Sequence, residues 1–429
     1  MGAHRADHQA SPTRPGRREV CRGAGVAFLA AVLSSAGGCG GSGSGAVPPP
    51  QAPESPQAPP PTPPPGEPVS VKAVPVVTGL ARPWSFVFLP DGGILVTERD
   101  GALRPIGNGS AGPPLAGVPA VSAQGQGGLL DLALGPDFAN DRRIYFTFTE
   151  PVAGGLARAA VARATLGDTA IEDAEVIYRQ VPAVAGGNHF GGRLVFDRFG
   201  YLFVTLGDRY DPNQAQRMQV ALGKVVRIFP DGSIPPDNPA LMPGSVDTGR
   251  PSDTGPAHPA FLENGALPEI WTLGHRNPQG AALHPETGEL WISEHGPLGG
   301  DEVNRILRGR NYGWPRITHG RDYDTGQPLG EGTAAADVEP SVHFWVPVSV
   351  APAGMAFYTG DGLPGWKGSL LVGTLVGQHL ARLDLRGNAV AAASMHLQGI
   401  GRIRAVRQGP DGYPWFVTDE GTLYRIEPR

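Results

Sequence analysis

From Val74 onward the chain repeats one pattern: an apolar run, a turn, and a second apolar run. Trp84–Leu89 meets Pro90-Asp91-Gly92 and then Ile94–Glu98; Leu132–Leu134 meets Pro136-Asp137 and then Ile144–Phe148. The arrangement returns at Leu194–Phe196 with Leu202–Thr205, and at Ala281–Leu283 with Leu290–Ile292. It closes at Ala356–Tyr358 with Leu370–Val372, and at Ala405–Arg407 with Trp415–Val417. Short apolar runs bounded by Pro, Asp and Gly read as β-hairpins, and helical periodicity is scarce. Six hairpins at roughly 60 residues each predict an all-β fold, a six-bladed β-propeller of four-stranded antiparallel blades. The excess over a compact blade falls to insertions, chiefly residues 210–265, a loop-rich stretch with little strand signal.

The first 71 residues follow another pattern. Arg14, Arg17, Arg18 and Arg22 precede the apolar run Val26–Leu33, which has the length of a signal-peptide core and is short for a membrane span. Small residues then lead to Cys39, as at a bacterial lipoprotein cleavage site, although Ala36 stands where Leu is usual. Residues 1–39 are therefore read as a signal peptide of lipoprotein type, 40–71 as a Gly/Ser/Pro-rich disordered tether, and 72–429 as the propeller domain. This organisation predicts a periplasmic or envelope-anchored protein that touches the membrane only through a lipid on Cys39. Cys21, the other cysteine, falls within the signal, so the exported domain has no disulfide.

Composition excludes some chemistry. A net charge of −5 offers no basic field for nucleic acid. Lysine occurs only at Lys72, Lys224 and Lys367, which leaves few candidates for a Schiff base. The 11 histidines lack tight ligand spacing and no cysteine is available to the exported domain, so a zinc site is disfavoured. There is no Cys-x-x-Cys-His haem-attachment motif either.

Four segments put polar groups where a blade would want apolar ones. In Asn188-His189-Phe190-Gly191-Gly192-Arg193, a histidine at the mouth of an inner strand is a candidate general base, although a lone His is more often structural. Asp208, at the end of the following strand, could orient that imidazole or simply cap an Asx-turn. Gly274-His275-Arg276-Asn277-Pro278-Gln279-Gly280 packs directed donors into a small volume, suiting an anionic or carbonyl-rich ligand. Glu294-His295-Gly296-Pro297, with Asp301-Glu302 nearby, offers carbonyls and carboxylates to a hard cation such as Ca²⁺. These residues alone leave open a calcium-dependent lactonase and a non-catalytic envelope propeller that binds a sugar or a partner protein.

Taken together, the segments resemble the soluble pyrroloquinoline quinone (PQQ) dependent sugar dehydrogenases, the glucose/sorbosone dehydrogenase family, and within it the aldose sugar dehydrogenases. The resemblance runs from about Val74 to Pro428. It is carried by Gly125–Asp131, Asn188-His189, Gly192-Arg193-Leu194, Gly207-Asp208, Gly274–Gly280, Glu294–Pro297 with Asp301-Glu302, Asn311–Pro315, Ser349–Pro352 and Gly401–Arg404. It implies a six-bladed propeller that oxidises an aldose at C1 to a lactone, using PQQ and Ca²⁺. His189 would take the proton of the anomeric hydroxyl, Asp208 would pair with it, and Arg276 would face the quinone oxygens. Gln126, Asn277, Ser349, Arg402 and Arg404 would contact PQQ, the two arginines at its carboxylates. Gly296 and Pro297 would hold the catalytic Ca²⁺ by their carbonyls, while Glu302 and Tyr312 resemble a second, structural calcium site. Electrons would pass to an external acceptor, whether cytochrome, quinone or dye, and the enzyme would be a monomer.

One position departs from the family. Val376 stands where a PQQ-binding lysine is expected, and Lys367 lies nine positions upstream. Losing one charge-assisted contact costs ~1.5–3 kcal/mol, or roughly 10- to 150-fold in affinity. The sequence thus predicts an active enzyme with weakened PQQ retention.

Overall fold

A computed structural model describes residues 69–245 and 255–429; the expected signal peptide, and the tether up to residue 68, lie outside them. Six four-stranded antiparallel sheets follow one another around a ring. Each predicted hairpin is the inner pair of a blade. The first three pairs are Pro83–Phe88 with Ile94–Glu98, Leu129–Leu134 with Arg143–Val152, and Gly191–Phe196 with Leu202–Leu206. Pro278–Leu283 with Leu290–Glu294, Pro352–Phe357 with Leu370–Thr374, and Ile403–Gln408 with Pro414–Thr418 complete the set. In the sixth blade the outer strand comes from the opposite end of the chain. Val71–Val77 pairs antiparallel with Leu423–Pro428, in register from Val71 opposite Pro428 to Pro75 opposite Tyr424, with a one-residue slip before Val77 meets Leu423.

The apolar runs follow from this geometry, because a blade is covered on both faces by its neighbours. Six buried clusters occupy the six interfaces between blades. Trp291 and Val303, for example, meet Met355 and Leu370 of the next blade. Phe86 and Val96 of the first blade meet Trp415 and Val417 of the last. Strands such as Ile94–Glu98 and Leu370–Thr374 are buried throughout, whereas the outermost strand Ala389–His396 is largely exposed.

The stretch read as an insertion contains one element the sequence concealed. Lys224–Ile228 is the third strand of the third blade, wholly buried despite Lys224 and Arg227. The Lys224 ammonium donates to the carbonyls of Gln214, Ala215 and Leu222 at 2.7–2.9 Å, the partners a buried charge requires.

Along the axis the innermost strands carry polar groups. The buried Arg193 guanidinium donates to Asp131 at 3.3 Å, to the Gln279 carbonyl at 2.6 Å and to the Arg404 carbonyl at 2.8 Å, and lies 3.9 Å from the Trp84 ring centroid. One side chain of the third blade thereby touches the first, second, fourth and sixth. Asp131 also accepts from Ser85, Arg407 and the Leu194 amide. Burial lowers the Arg193 pKa to about 10, which still leaves it charged at neutral pH. Each innermost strand also slips register against its neighbour at its start. Such bulges re-aim side chains at the rim of the ring.

Replacing Arg193 by Met keeps the length but removes the fully buried one of the two guanidinium groups on the Asp131 carboxylate. The expected cost is about 3–5 kcal/mol, seen as a lower urea midpoint at unchanged slope.

Candidate active site

A cavity of ≈590 Å³ opens at the end of the ring where the innermost strands begin, within the range of small-molecule sites. Its wall brings together Gln126, His189, Arg276, Ser349, Arg402 and Arg404, six of the residues singled out from sequence, together with Gly296. Five precede the innermost strands of five blades, Arg404 lies at the start of the last of these strands, and Gly296 follows the second strand of the fourth blade, which explains their scatter along the chain.

His189 is buried, with a left-handed backbone (φ +52°) that a non-glycine residue adopts only at a cost. Its amide donates to the Gln126 side-chain oxygen at 3.0 Å, and its Nδ1 lies 2.7 Å from Asp208 Oδ1. That contact places the proton on Nδ1 and the lone pair on Nε2. Asp208 is held in turn by Trp314 Nε1 at 2.8 Å and by the Tyr210 amide at 2.9 Å. The Tyr210 ring lies against the imidazole, centroids 4.4 Å apart. Burial pulls the His189 pKa below its ordinary value; the Asp208 hydrogen bond opposes this, and Arg276 and Arg209 add to the lowering. The imidazole is therefore neutral at pH 7 and able to accept a proton.

Arg276 donates through Nη1 to the carbonyls of His295 (3.1 Å) and Gly296 (2.7 Å). Its backbone is fixed at both ends, the amide by Glu294 and the carbonyl by the Asp208 amide. Gly296 must be glycine, since a Cβ there would lie 2.2 Å from the Gly300 carbonyl oxygen. Ser349 donates to the Pro297 carbonyl at 2.9 Å. Asp301 accepts from the amides of Gly296, Val350 and Ala351, yet burial still pushes its pKa up to about 6. Arg402 and Arg404 both donate to Asp419 at 2.8–3.0 Å, and Arg404 also to Gln279. Burial alone would raise the Asp419 pKa, but the two arginines outweigh it and hold it below the usual carboxylate range.

Four residues take other places. Asn277 is fully buried behind the wall, donating to Gln126 at 3.3 Å and accepting from the Gly191 amide. Pro297 faces Ser349 beside the cavity. Glu302 and Tyr312 border a separate space of ≈10 Å³, about the room one water or ion needs, shared with Glu294 and Arg276. Glu302 stands directly opposite Glu294 across paired strands, and burial with that neighbouring charge pushes its pKa up to about 8. The Tyr312 hydroxyl accepts from the Leu307 amide and donates to the Arg305 carbonyl.

Sequence reasoning gave no role to Arg99, Tyr210, His295 and Asp419, which also line the cavity. Arg99 follows a strand in the charged run Thr97-Glu98-Arg99-Asp100, a signal that reads equally as a solvated turn. Val376 is on the wall and half exposed, and Lys367 pairs with Asp361 at 2.7 Å on the surface, so it does not replace the missing lysine.

The glucose/sorbosone dehydrogenase family model matches residues 80–425. The chain belongs to this family. An aldose sugar dehydrogenase of Escherichia coli, YliI, is 42% identical over 371 residues, covering 84% of this chain and 94% of that one. Among solved structures, the apo-form soluble aldose sugar dehydrogenase of E. coli superposes with a TM-score of 0.76 at 40% identity, over 84% of this chain and all of that one. The PQQ-bound aldose sugar dehydrogenase of Streptomyces coelicolor superposes with a TM-score of 0.67 at 28% identity, over 85% of this chain and 100% of that one. Like its family, the chain is an oxidoreductase on a six-bladed propeller.

Two results are expected. The acid limb of kcat/KM for sugar oxidation falls with a midpoint below the ordinary histidine value of about 6.5, because the neutral imidazole is the active form. Asp208→Asn lowers kcat by roughly 10²–10⁴ and moves that limb lower still, since Asp208 raises the His189 pKa. A pH–rate series on both proteins checks each.

Proposed function

We propose that this chain oxidises aldose sugars at C1 to lactones, with PQQ in the ≈590 Å³ cavity and Ca²⁺ at the Gly296 and Pro297 carbonyls. The observation that carries the reading is the His189–Asp208 pair, at 2.7 Å, opening onto the same cavity as Arg276 and the Arg402–Arg404 pair. The residues fit the groups. His295 Nε2 is buried beside the cavity with no partner among the described residues, and burial and the nearby Arg276 keep its ring neutral. The arginines suit a ligand carrying several carboxylates. Gly296, Pro297, Ser349 and Asp301, linked to one another by hydrogen bonds, would offer a hard cation the oxygens it prefers. Among the described residues no three His, Cys, Asp or Glu side chains converge, so a calcium site here relies on carbonyls. Glu302, opposite Glu294, is proposed with Tyr312 as the second, structural calcium site.

PQQ, when bound, supplies the acceptor for the hydride that leaves C1. His189 Nε2 takes the C1 hydroxyl proton, and Asp208 stabilises the imidazolium that results. Arg276, anchored on the His295 and Gly296 carbonyls, presents positive charge where negative charge develops, without reorganising. Gln126 fixes His189 through its backbone amide, and Asn277 fixes Gln126. Two electrons then pass to an external acceptor. Export to the periplasm, with Cys39 as lipid anchor, is part of the same proposal, as is a monomeric state.

The test titrates PQQ into the cofactor-free propeller domain with Ca²⁺ present, following dye reduction by aldoses. Saturable, PQQ-dependent activity that EDTA abolishes is expected, with His189→Ala losing turnover while retaining PQQ. Activity that ignores both PQQ and EDTA would remove the reading.

A further inference from the structure

The cavity's positive charge does not end with the residues already assigned. Arg402 and Arg404 share Asp419, and Arg276 rests on carbonyls. Arg99 also lines the cavity, on the other side of the Arg402–Arg404 pair from Val376: Val376 follows a strand of the fifth blade, the pair opens the sixth, and Arg99 follows a strand of the first. Around the ring it stands between the arginine pair and Gln126, two groups already proposed to touch the cofactor.

Its surroundings leave its charge unspent. Nη2 donates to the carbonyls of Gly125 and Gly127, and Nε to Gly127 at 3.3 Å. Nη1 has no hydrogen-bond partner among the described residues, and no carboxylate among them lies within ion-pair distance of Arg99. The backbone is equally constrained. The Leu129 amide donates to the Arg99 carbonyl at 3.1 Å, and a Cβ at Gly128 would lie 2.0 Å from that oxygen. The guanidinium is thus clamped to the loop that carries Gln126, with Nη1 left without a hydrogen-bond partner among the described residues. Burial and the repulsion of Arg404 and Arg82 lower its pKa, which a bound anion would relieve.

We propose that Arg99 binds a carboxylate of PQQ as the third cation of an arginine cluster with Arg402 and Arg404, supplying from the first blade the charge that Val376 withholds on the fifth. The proposal rests on PQQ being the ligand of this cavity. On this reading Arg99 offsets part of the affinity expected to be lost with the lysine.

Arg99→Gln keeps a donor for the Gly125 and Gly127 carbonyls and removes the charge; Arg99→Lys keeps the charge. Calorimetric titration of the Ca²⁺-loaded protein with PQQ, and with its trimethyl ester in which the carboxylates are neutral, separates the roles. Arg99→Gln is expected to weaken PQQ by about 10- to 150-fold, to leave the ester within about twofold of wild type, and to flatten the salt dependence of the Kd. Arg99→Lys retains most of the affinity. Equal PQQ affinity in wild type and Arg99→Gln overturns the proposal. So does an equal loss for PQQ and ester, which would make Arg99 a loop clamp only. A wild-type protein that binds no PQQ fails at the earlier step, and the functional reading falls with it. Thermal melts of all three proteins guard against a folding defect.

Discussion

The ring turns on a buried charge. Arg193 and Asp131 meet on the propeller axis, where the innermost strands are closest and apolar packing alone would let one blade slide against the next. A guanidinium has five donors in a rigid plane, and here they are directed at a carboxylate and two backbone carbonyls of three other blades. An isolated buried charge would be prohibitive, so the arrangement is stable only with the blades it joins in register. The network adjoins the cavity, because the Arg404 and Gln279 carbonyls that receive Arg193 belong to residues whose side chains line it and bond to each other.

Around the cavity, geometry is set before any ligand arrives. Asp419 fixes two arginines, Trp314 and Tyr210 fix Asp208, and Asp208 fixes the tautomer of His189. Dipoles and charges held in place by the fold need no reorganisation when charge moves in a reaction, and they act at full strength where water is scarce. The strained backbone of His189 is what such an arrangement costs locally, and it is offset by the Gln126 and Asp208 contacts on either side.

How far the sequence reveals this depends on burial. Inner hairpins are covered on both faces, so they read as unbroken apolar runs, and all six were visible. Other strands read differently: Ala389–His396 is exposed, and Lys224–Ile228, although buried, carries two cations, Lys224 held by carbonyls of the preceding loop and Arg227 by the Asp237 and Asn238 side chains. At the site, His189, Asp208 and Arg276 were legible because each sits in a glycine-rich segment that interrupts a strand pattern. Asn277 was legible as polar but not as a buried prop. Asp419 and Arg99 look like ordinary turn residues; Asp419 meets Arg402 and Arg404 across one hairpin, and only the closing of the ring brings Arg99 to the same cavity.

The pairing of Val71–Val77 with Leu423–Pro428 has a consequence of its own. The Arg429 amide donates to the Ser70 carbonyl at 2.9 Å, so the two limits of the domain are neighbours on an outer edge, far from the axis. Topologically the domain is a circle opened at one rim. Contacts between strands some 350 residues apart make folding slow relative to local hairpins, and the sixth blade stays three-stranded until its remote partner docks. Joining those limits with a short linker and opening the chain at another exposed loop would leave every blade and the cavity unchanged, turning the last step of assembly into a local one.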